Sequence, residues 1–347
     1  MGRRFDPDRA HFRSGYRKDL MTEEKVGKLP SEKTVRFRDF PKDDSRKSFI
    51  KILEFCFSRS FVEVDEENEL VDVEITGPYG GLSDSYKTPL MKKTARAIYS
   101  RTTRGKHLSK PNLATGITPS SLAKFNLWYT GENQRPPYGN WDAYLSFDCK
   151  IAPARNFYLP LWLLTSTDWI LDLEYSYWGS PKPKLSELFQ KRDLGNSKRK
   201  FACAFIGKNY PVRLHAIEAL RKIGKVDVFG EGARNPVKNP SEVARDYKFV
   251  MCFENDLYPG YVTEKPVEAY LSGAIPLYNG IDEMKYLNNE SMINLNDFDS
   301  MEGWLDQIAA HNTNNSTYIY THSQPLLKKA PELSDLIAFL RRRLGIA

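Results

Sequence analysis

Residues 247–280 have the sequence YKFVMCFENDLYPGYVTEKPVEAYLSGAIPLYNG, and this stretch decides the fold of the chain. Its apolar run Lys248–Phe253 predicts a strand that is buried on both faces, as strands of parallel sheets are. Thr263 is a favourable N-cap for a following helix, which Gly273 would end. The apolar run Ala274–Tyr278 predicts a second strand. The order of strand, loop, helix and strand predicts an α/β fold with a parallel sheet.

Polar residues are concentrated between the end of the first strand and the start of the helix. Ligands of parallel α/β folds bind at this edge of the sheet, where helix N-termini offer free N–H groups. Taken singly, an Asn after a strand is usually a turn former, and a Glu–Lys pair in a first helical turn is usually solvated. Their joint spacing nevertheless indicates a ligand site composed of Asn255, Tyr261, Glu264 and Lys265.

The spacing of FEN and GYVTEK in this stretch is similar to the signature of the α-1,3-fucosyltransferases, glycosyltransferase family 10. The resemblance extends through most of residues 70–300. Residues 129–133, YTGEN, resemble the acceptor-side element of the family, and Tyr158–Pro160 resembles its next short motif. Arg213 matches the arginine that opens the first helix of the family's donor domain. The resemblance implies an α/β protein of the GT-B architecture, in which two Rossmann-like β/α/β domains face each other across a cleft.

Changes in composition divide the chain into five predicted parts. They are a flexible basic N-terminal tail (1–32), an acceptor-side Rossmann-like domain (33–180), a linker (181–200), a GDP-sugar-binding Rossmann-like domain (201–325) and an amphipathic C-terminal helix (326–347). A further helix is predicted at Thr94–Ser100 inside the first domain.

The resemblance implies an inverting transferase that moves L-fucose from GDP-β-L-fucose to a hydroxyl of a GlcNAc- or glucose-containing glycan, in an α-1,3 or α-1,4 linkage. This reaction separates a diphosphate leaving group from an electron-poor anomeric carbon. Arg213 and Lys265 would hold the charge of the diphosphate. Because two protein cations can do this, we expect no required cofactor and a divalent metal that is at most stimulatory.

An inverting transferase also needs a base on the face opposite the leaving group, and this base is usually a carboxylate. Glu132 lies in the YTGEN element and would be this base, although chemistry alone favours a loop Glu that caps a backbone N–H. Glu264 would be a second catalytic residue that bonds sugar hydroxyls or supports the oxocarbenium-like centre.

The remaining predicted contacts divide between the donor and the acceptor. Asn255 and Tyr261 would contact the GDP-sugar together with Arg213 and Lys265. Tyr138 and Trp141 could stack on an acceptor sugar, although packing in the interior is an equal alternative for Trp141.

Other functions are compatible with parts of the sequence. The same fold could use another donor, such as GDP-mannose. The net charge of +7 would suit a nucleic-acid-binding protein, but such a protein concentrates its charge on one element. A non-catalytic glycan-binding module is a third alternative. A metal-dependent GT-A transferase needs an Asp-x-Asp pair, and the pairs with this spacing lie in the tail and near the C-terminus, at Asp6/Asp8 and Asp297/Asp299.

The N-terminal residues lack the apolar stretch of a signal peptide, and the four cysteines are far apart in sequence. We therefore expect a cytoplasmic protein without a membrane span, with a GDP-sugar and an oligosaccharide as partners and no nucleic acid. An apolar stripe from Leu333 to Leu344 predicts the C-terminal helix. Arg341–Arg343 in its last turn would permit peripheral contact with a membrane.

Overall fold

The computed structural model describes residues 32–40, 42, 45–78, 117–137, 139–148, 154–170, 183–193 and 199–346. In this part of the chain, two parallel sheets with helices confirm the predicted α/β class. The predicted helix at 94–100, most of the predicted tail and Tyr138 lie outside the described residues.

The N-terminal half is built on a six-stranded sheet. Its strands are β1 (Lys33–Arg38), β2 (Phe61–Glu63), β3 (Val71–Thr76), β4 (Ala123–Tyr129), β5 (Ala143–Ser146) and β6 (Asn156–Tyr158). They are all parallel, in the order β2-β1-β3-β4-β5-β6.

The C-terminal half is built on a five-stranded sheet. Its strands are β7 (Lys200–Phe205), β8 (Val226–Phe229), β9 (Tyr247–Phe253), β10 (Ile275–Asn279) and β11 (Ile293–Asn294). They are also all parallel, in the order β11-β10-β9-β7-β8. Strand β9 is buried along almost its whole length, as its apolar sequence predicted.

The helices within the described ranges vary in length from one turn to more than three. They are α1 (Ser45–Phe57), α2 (Leu161–Leu164), α3 (Pro211–Leu220), α4 (Pro240–Ala244), α5 (Lys265–Leu271), α6 (Met301–Thr313), α7 (Asn315–Ser323) and α8 (Leu333–Leu344). No helix in these ranges has the length and apolar character needed to cross a bilayer.

The C-terminal sheet contains a point at which the strand order reverses. Strand β8 lies on one side of β7 and β9 lies on the other, so the connections that leave β7 and β9 diverge. Divergence of this kind opens a crevice at the carboxyl ends of the two strands, and ligands of open α/β sheets bind there. The crevice lies beyond Phe205 and Phe253, where these strands end.

Helix α8 returns from the C-terminal half to pack on α1 of the N-terminal half. Leu336 and Leu340 on its inner face are fully buried. The guanidinium of Arg341 donates from Nε to the carbonyl of Cys56 at 2.9 Å, and that of Arg343 donates to the carbonyl of Asp142 at 2.7 Å. Two of the three arginines that suggested membrane contact are therefore bonded inside the chain.

One local prediction in the signature stretch is wrong. Helix α5 begins at Lys265 with Glu264 at its N-cap, and no side chain caps it. The Thr263 hydroxyl instead donates to the buried carboxylate of Glu254, at 2.8 Å from Oε2. The predicted helix end is confirmed, since Gly273 has a φ of +78° just beyond α5.

Candidate active site at the β7/β9 crevice

Arg213 extends from the first turn of α3 to the end of β9. Its Nη2 donates to the carbonyl oxygen of Phe253 at 2.8 Å and to Asn255 Oδ1 at 2.9 Å. Burial lowers the pKa of this guanidinium, but arginine keeps its charge in proteins at neutral pH. Two of the predicted donor-site residues, Arg213 and Asn255, are thus in direct contact and fix each other.

Lys265 is not a free cation in this site. Its ammonium donates to Glu254 Oε2 at 3.1 Å and to Thr263 Oγ1 at 2.9 Å. Burial alone would lower the pKa of Lys265, but the Glu254 and Glu264 carboxylates outweigh this effect and raise it. The lysine is therefore charged, and it retains one N–H for a ligand.

Two buried polar atoms next to this cation have no hydrogen-bond partner among the described residues, namely Tyr261 Oη and Glu264 Oε2. Burial raises the pKa of the Glu264 carboxyl, and the neighbouring Glu254 and Glu132 carboxylates raise it further. Burial also raises the pKa of the Tyr261 hydroxyl, with contributions from the same two carboxylates. Since buried polar groups without partners cost free energy, these atoms are suited to bond a polar ligand.

A cavity of about 270 Å³ opens beside these residues, on the side of the sheet that α4 and α5 cover. One part of its wall is apolar and the other is charged. Its lining includes Phe205, Pro240 and Ala244 on the apolar side and Arg213, Glu264, Lys265 and Glu268 on the charged side.

Glu132 lies in a tight turn after β4 of the N-terminal half. The turn is fixed by hydrogen bonds from Thr130 Oγ1 to the carbonyl of Glu132 at 2.9 Å and from the N–H of Gln134 to the same carbonyl at 2.6 Å. The described residues offer the Glu132 carboxylate no hydrogen bond or ion pair of its own. Its charge contributes to the raised pKa of both Tyr261 and Glu264 in the C-terminal half.

Residues of the two halves meet around this point. Asn133 Nδ2 donates to Asp256 Oδ2 at 2.5 Å, and the hydroxyl of Tyr158 donates to the carbonyl of Gly260 at 3.0 Å. The rings of Phe147 and Tyr261 stand edge to face with their centroids 5.3 Å apart. The predicted base and the predicted donor residues are therefore brought together across the crevice.

The structure contradicts one predicted acceptor contact. Trp141 has no exposed surface, and its ring packs edge to face against the buried ring of Trp128 at 5.6 Å. Its apolar area drives the ring into the interior, so it offers no face on which a sugar could stack. The other predicted contact, Tyr138, lies outside the described residues.

The sequence did not predict a contact between Glu254, the residue that follows β9, and Lys265. A carboxylate directly after a doubly buried strand is the signal that could have shown its burial. Across the described ranges, no group of three or more His, Cys, Asp or Glu side chains has the geometry of a metal site. Asp297 of the Asp-x-Asp pair ends a short 3₁₀ turn after β11, which is an edge strand of the C-terminal sheet.

Comparison with known proteins places part of the chain in a family. Residues 195–323 match the profile described as glycosyltransferase family 10 (fucosyltransferase), C-terminal domain. The chain carries a glycosyltransferase family 10 domain. This domain contains Arg213, Asn255, Tyr261, Glu264 and Lys265, which confirms the family that the signature stretch suggested.

The resemblance to a curated relative extends over more of the chain than the family 10 domain. The chain is 31% identical over 220 residues to the alpha-(1,3)-fucosyltransferase FucT of Helicobacter pylori, which covers 56% of this chain and 45% of that relative. The chain thus spans about half the length of the relative.

Solved structures extend the likeness beyond the family 10 domain to both halves. A structure of an alpha1,3-fucosyltransferase with GDP has a TM-score of 0.61 at 23% identity and covers 94% of each chain. A second structure, with GDP-fucose, has a TM-score of 0.61 at 22% identity and covers 93% of this chain and 94% of that chain. At this identity the comparison shows the fold, and it confirms the GT-B architecture.

Proposed function

We propose that the chain transfers L-fucose from GDP-β-L-fucose to a hydroxyl of a GlcNAc- or glucose-containing glycan, in an α-1,3 or α-1,4 linkage with inversion of configuration. The observation that carries this proposal is the meeting of two cations with a carboxylate that none of the described residues bonds. Arg213 and Lys265 lie on the side of the family 10 domain, and Glu132 approaches from the other half.

The cations account for the leaving group. Departure of GDP leaves negative charge on the diphosphate oxygens, and fixed cations stabilise that charge more than they stabilise the bound donor. Arg213 is held by Phe253 and Asn255, and Lys265 is held by Glu254, so neither needs to be reoriented during the reaction. The cavity beside them, with one apolar and one charged wall, suits a nucleoside joined to a diphosphate.

The acceptor oxygen attacks the anomeric carbon as the bond from that carbon to the diphosphate oxygen breaks. In the proposed mechanism, Glu132 takes the proton of the attacking hydroxyl, and GDP leaves with the electron pair of the broken bond. Attack from the face opposite GDP inverts the anomeric centre, which requires the base and the diphosphate site to lie on opposite sides of the sugar. Positions of Glu132 and of the two cations on different halves of the molecule support this arrangement.

The fucosyl group would lie between these two parts of the site. The unpartnered Tyr261 hydroxyl and the unpartnered Glu264 oxygen can bond hydroxyls of the sugar. Glu264 also places a carboxyl group near the carbon that becomes electron-poor as the bond to GDP lengthens. This geometry supports a catalytic role for Glu264 beside that of Glu132.

A donor and acceptor screen tests the proposal. The full chain is incubated with GDP-fucose or GDP-mannose and a panel of lactosamine-type, chitobiose and glucoside acceptors, and GDP release and product mass are measured. We expect transfer from GDP-fucose to at least one acceptor. Transfer from GDP-mannose alone would show that GDP-mannose is the donor. Glycan binding without GDP release would indicate a non-catalytic binding module. Salt-sensitive binding to random oligonucleotides without affinity for GDP would favour the nucleic-acid hypothesis.

The proposed charge stabilisation does not depend on a divalent ion, because the two protein cations face the leaving group. We expect the same reaction to continue in excess EDTA, with added Mn²⁺ or Mg²⁺ changing the rate only moderately. If EDTA abolished turnover and either ion restored it, Arg213 and Lys265 would be insufficient and the proposed division of roles would have to be abandoned.

A further inference from the structure

Glu254 is a buried carboxylate at the carboxyl end of β9, and its side chain has no exposed surface. Oε1 accepts hydrogen bonds from the N–H of Thr263 at 2.8 Å and the hydroxyl of Tyr278 at 3.1 Å. Oε2 accepts from Thr263 Oγ1 at 2.8 Å and Lys265 Nζ at 3.1 Å. A carboxylate offers about four lone-pair directions. Glu254 therefore has none left for a substrate or for a transferred proton.

The same bonds fix the ammonium of Lys265. Its Nζ has two acceptors, Glu254 Oε2 and Thr263 Oγ1, and these determine the direction of the remaining N–H. Other charged groups that act on this ammonium include Glu264, Glu268 and Arg213. Burying a lysine without a partner is costly, so a fixed carboxylate is what keeps this cation both charged and in place.

We infer that Glu254 is the positioning residue of the donor site: it holds the Lys265 ammonium toward the diphosphate and acts on the donor only through Lys265. The inference rests on the proposed function, because it takes a GDP-sugar as the ligand. It also excludes Glu254 as the general base, since that role requires a free lone pair. Glu132, whose carboxylate is unpaired, retains that role.

A double-mutant cycle on GDP affinity tests the inference. The variants are Glu254→Gln, Lys265→Met and the double variant, and GDP binding is measured by calorimetry on the full chain. A Gln amide has an NH₂ group in place of one carboxylate oxygen, and this group cannot accept a hydrogen bond. Lys265 or Thr263 therefore loses its acceptor. We expect Glu254→Gln to weaken GDP binding on the order of tenfold, because coupling energies between charged groups in direct contact, here Glu254 and Lys265, are commonly of this size. In the Lys265→Met background, the same substitution should have no effect.

The expected pattern separates positioning from direct contact. Equal losses in both backgrounds would show that Glu254 acts on GDP independently of Lys265 and would overturn the inference. Tighter GDP binding in Glu254→Gln would also overturn it, because removal of a repelling charge would then outweigh positioning. The Lys265→Met variant keeps the other three donors to Glu254, so the carboxylate remains bonded in that background.

Labelling of Lys265 with an amine-reactive reagent, followed by mass spectrometry, provides a readout that needs no nucleotide. We expect Glu254→Gln to increase the labelling of Lys265 at least severalfold and to leave other lysines, such as Lys248, unchanged. Tyr278→Phe is the matched control, because it removes one donor to Glu254 without contacting Lys265. Increased labelling of all lysines would indicate unfolding, and unchanged labelling of Lys265 would contradict the inference. If wild type bound no GDP, the proposed function would fail, while the labelling result would still decide whether Glu254 fixes the Lys265 ammonium.

Discussion

Glu132 and Glu254 are both carboxylates at the crevice, yet their surroundings suit them to different roles. Glu254 is saturated by four donors, whereas the carboxylate of Glu132 is bonded by none of the described residues. A general base must accept a proton from the substrate, so an unpaired carboxylate fits this role and a saturated one does not. The number of hydrogen bonds distinguishes the two residues although their chemistry is the same.

We expect Glu132→Gln to reduce turnover about 10²–10⁴-fold, the usual contribution of a general base. The amide keeps the size and much of the hydrogen bonding of Glu132 but cannot take the acceptor proton. Initial rates with saturating GDP-fucose and GDP affinity by calorimetry measure the effect, and GDP affinity should barely change. Glu218→Gln, an exposed change of the same kind on α3, is the control. Near-normal turnover in Glu132→Gln would place the base elsewhere, with Glu264 as the next candidate.

We expect Arg213→Ala to weaken GDP binding by about 1.5–3 kcal/mol, the range for a hydrogen bond to a charged group. The physical reason is the loss of a buried cation beside the diphosphate. Arg221→Ala makes the same change at the exposed C-cap of α3, about 12 Å along the helix, and should leave GDP affinity unchanged. Calorimetry measures the GDP affinity of both variants. If Arg213→Ala and Arg221→Ala bound GDP equally well, Arg213 would not be part of the donor site.

Helix α5 is fixed at the end remote from the crevice. Arg192 and Arg199 donate to carbonyl groups at its C-terminal end, and His322 Nε2 donates to the carbonyl of Gly273 at 2.8 Å. The guanidinium of Arg192 also lies over the ring of Tyr270, 3.6 Å from its centroid. Because the helix has fewer than two and a half turns, these contacts set the position of Lys265 at its other end as well.

Gly273→Ala should therefore destabilise the protein by about 1–2 kcal/mol, the cost of a left-handed backbone for a residue with a Cβ. Gly273 has a φ of +78°, and an added Cβ would lie 2.8 Å from Arg199 Nη2. Gly303→Ala is the matched control, because its Cβ would have no neighbour closer than 3.7 Å and it lies in helix α6. We expect that control to be neutral or stabilising by up to about 1 kcal/mol. Urea unfolding midpoints measure both, and equal midpoints would contradict the prediction.

The last helix, α8, joins the two halves of the molecule. Helix α8 follows the C-terminal sheet in sequence but packs on α1 of the N-terminal half. Its Phe339 ring lies 5.7 Å from the ring of Phe157 in β6, and Arg341 and Arg343 bond backbone carbonyls of that half. The contact between distant parts of the sequence limits how far the halves can separate, and the candidate site lies between them.

Leu340→Ala should lower the free energy of unfolding by about 2–5 kcal/mol, because it leaves a cavity at a fully buried position. If α8 belongs energetically to the N-terminal half, amide hydrogen exchange should increase in α1 more than in β9. Arg342→Ala, an exposed change in the same helix, should alter stability by less than about 0.5 kcal/mol. Increased exchange in β9 with none in α1 would show that α8 stabilises the other half.

Local pattern was sufficient for the elements of the donor half. The apolar run before Glu254 predicted β9, because a strand buried on both faces requires consecutive apolar residues. Gly273 predicted the end of α5, because a left-handed backbone favours glycine. Four of the predicted site residues, Asn255, Tyr261, Glu264 and Lys265, were recognisable for a related reason, since their spacing lies within one β-loop-α unit. Arg213 lies on an earlier helix and was found through the family resemblance.

The tertiary structure decided which groups those residues contact. Thr263 bonds Glu254 rather than capping α5, Lys265 is paired, and Trp141 is buried against Trp128. In each case the partner lies on another element or in another turn. The sequence pattern does not show which of these groups are close together in the folded chain. The sequence by itself determined the two-sheet α/β class and the stretch that holds the site. Only the folded chain determined which carboxylate is saturated and which is unpaired, because the supply of hydrogen-bond donors around a buried group depends on packing between elements.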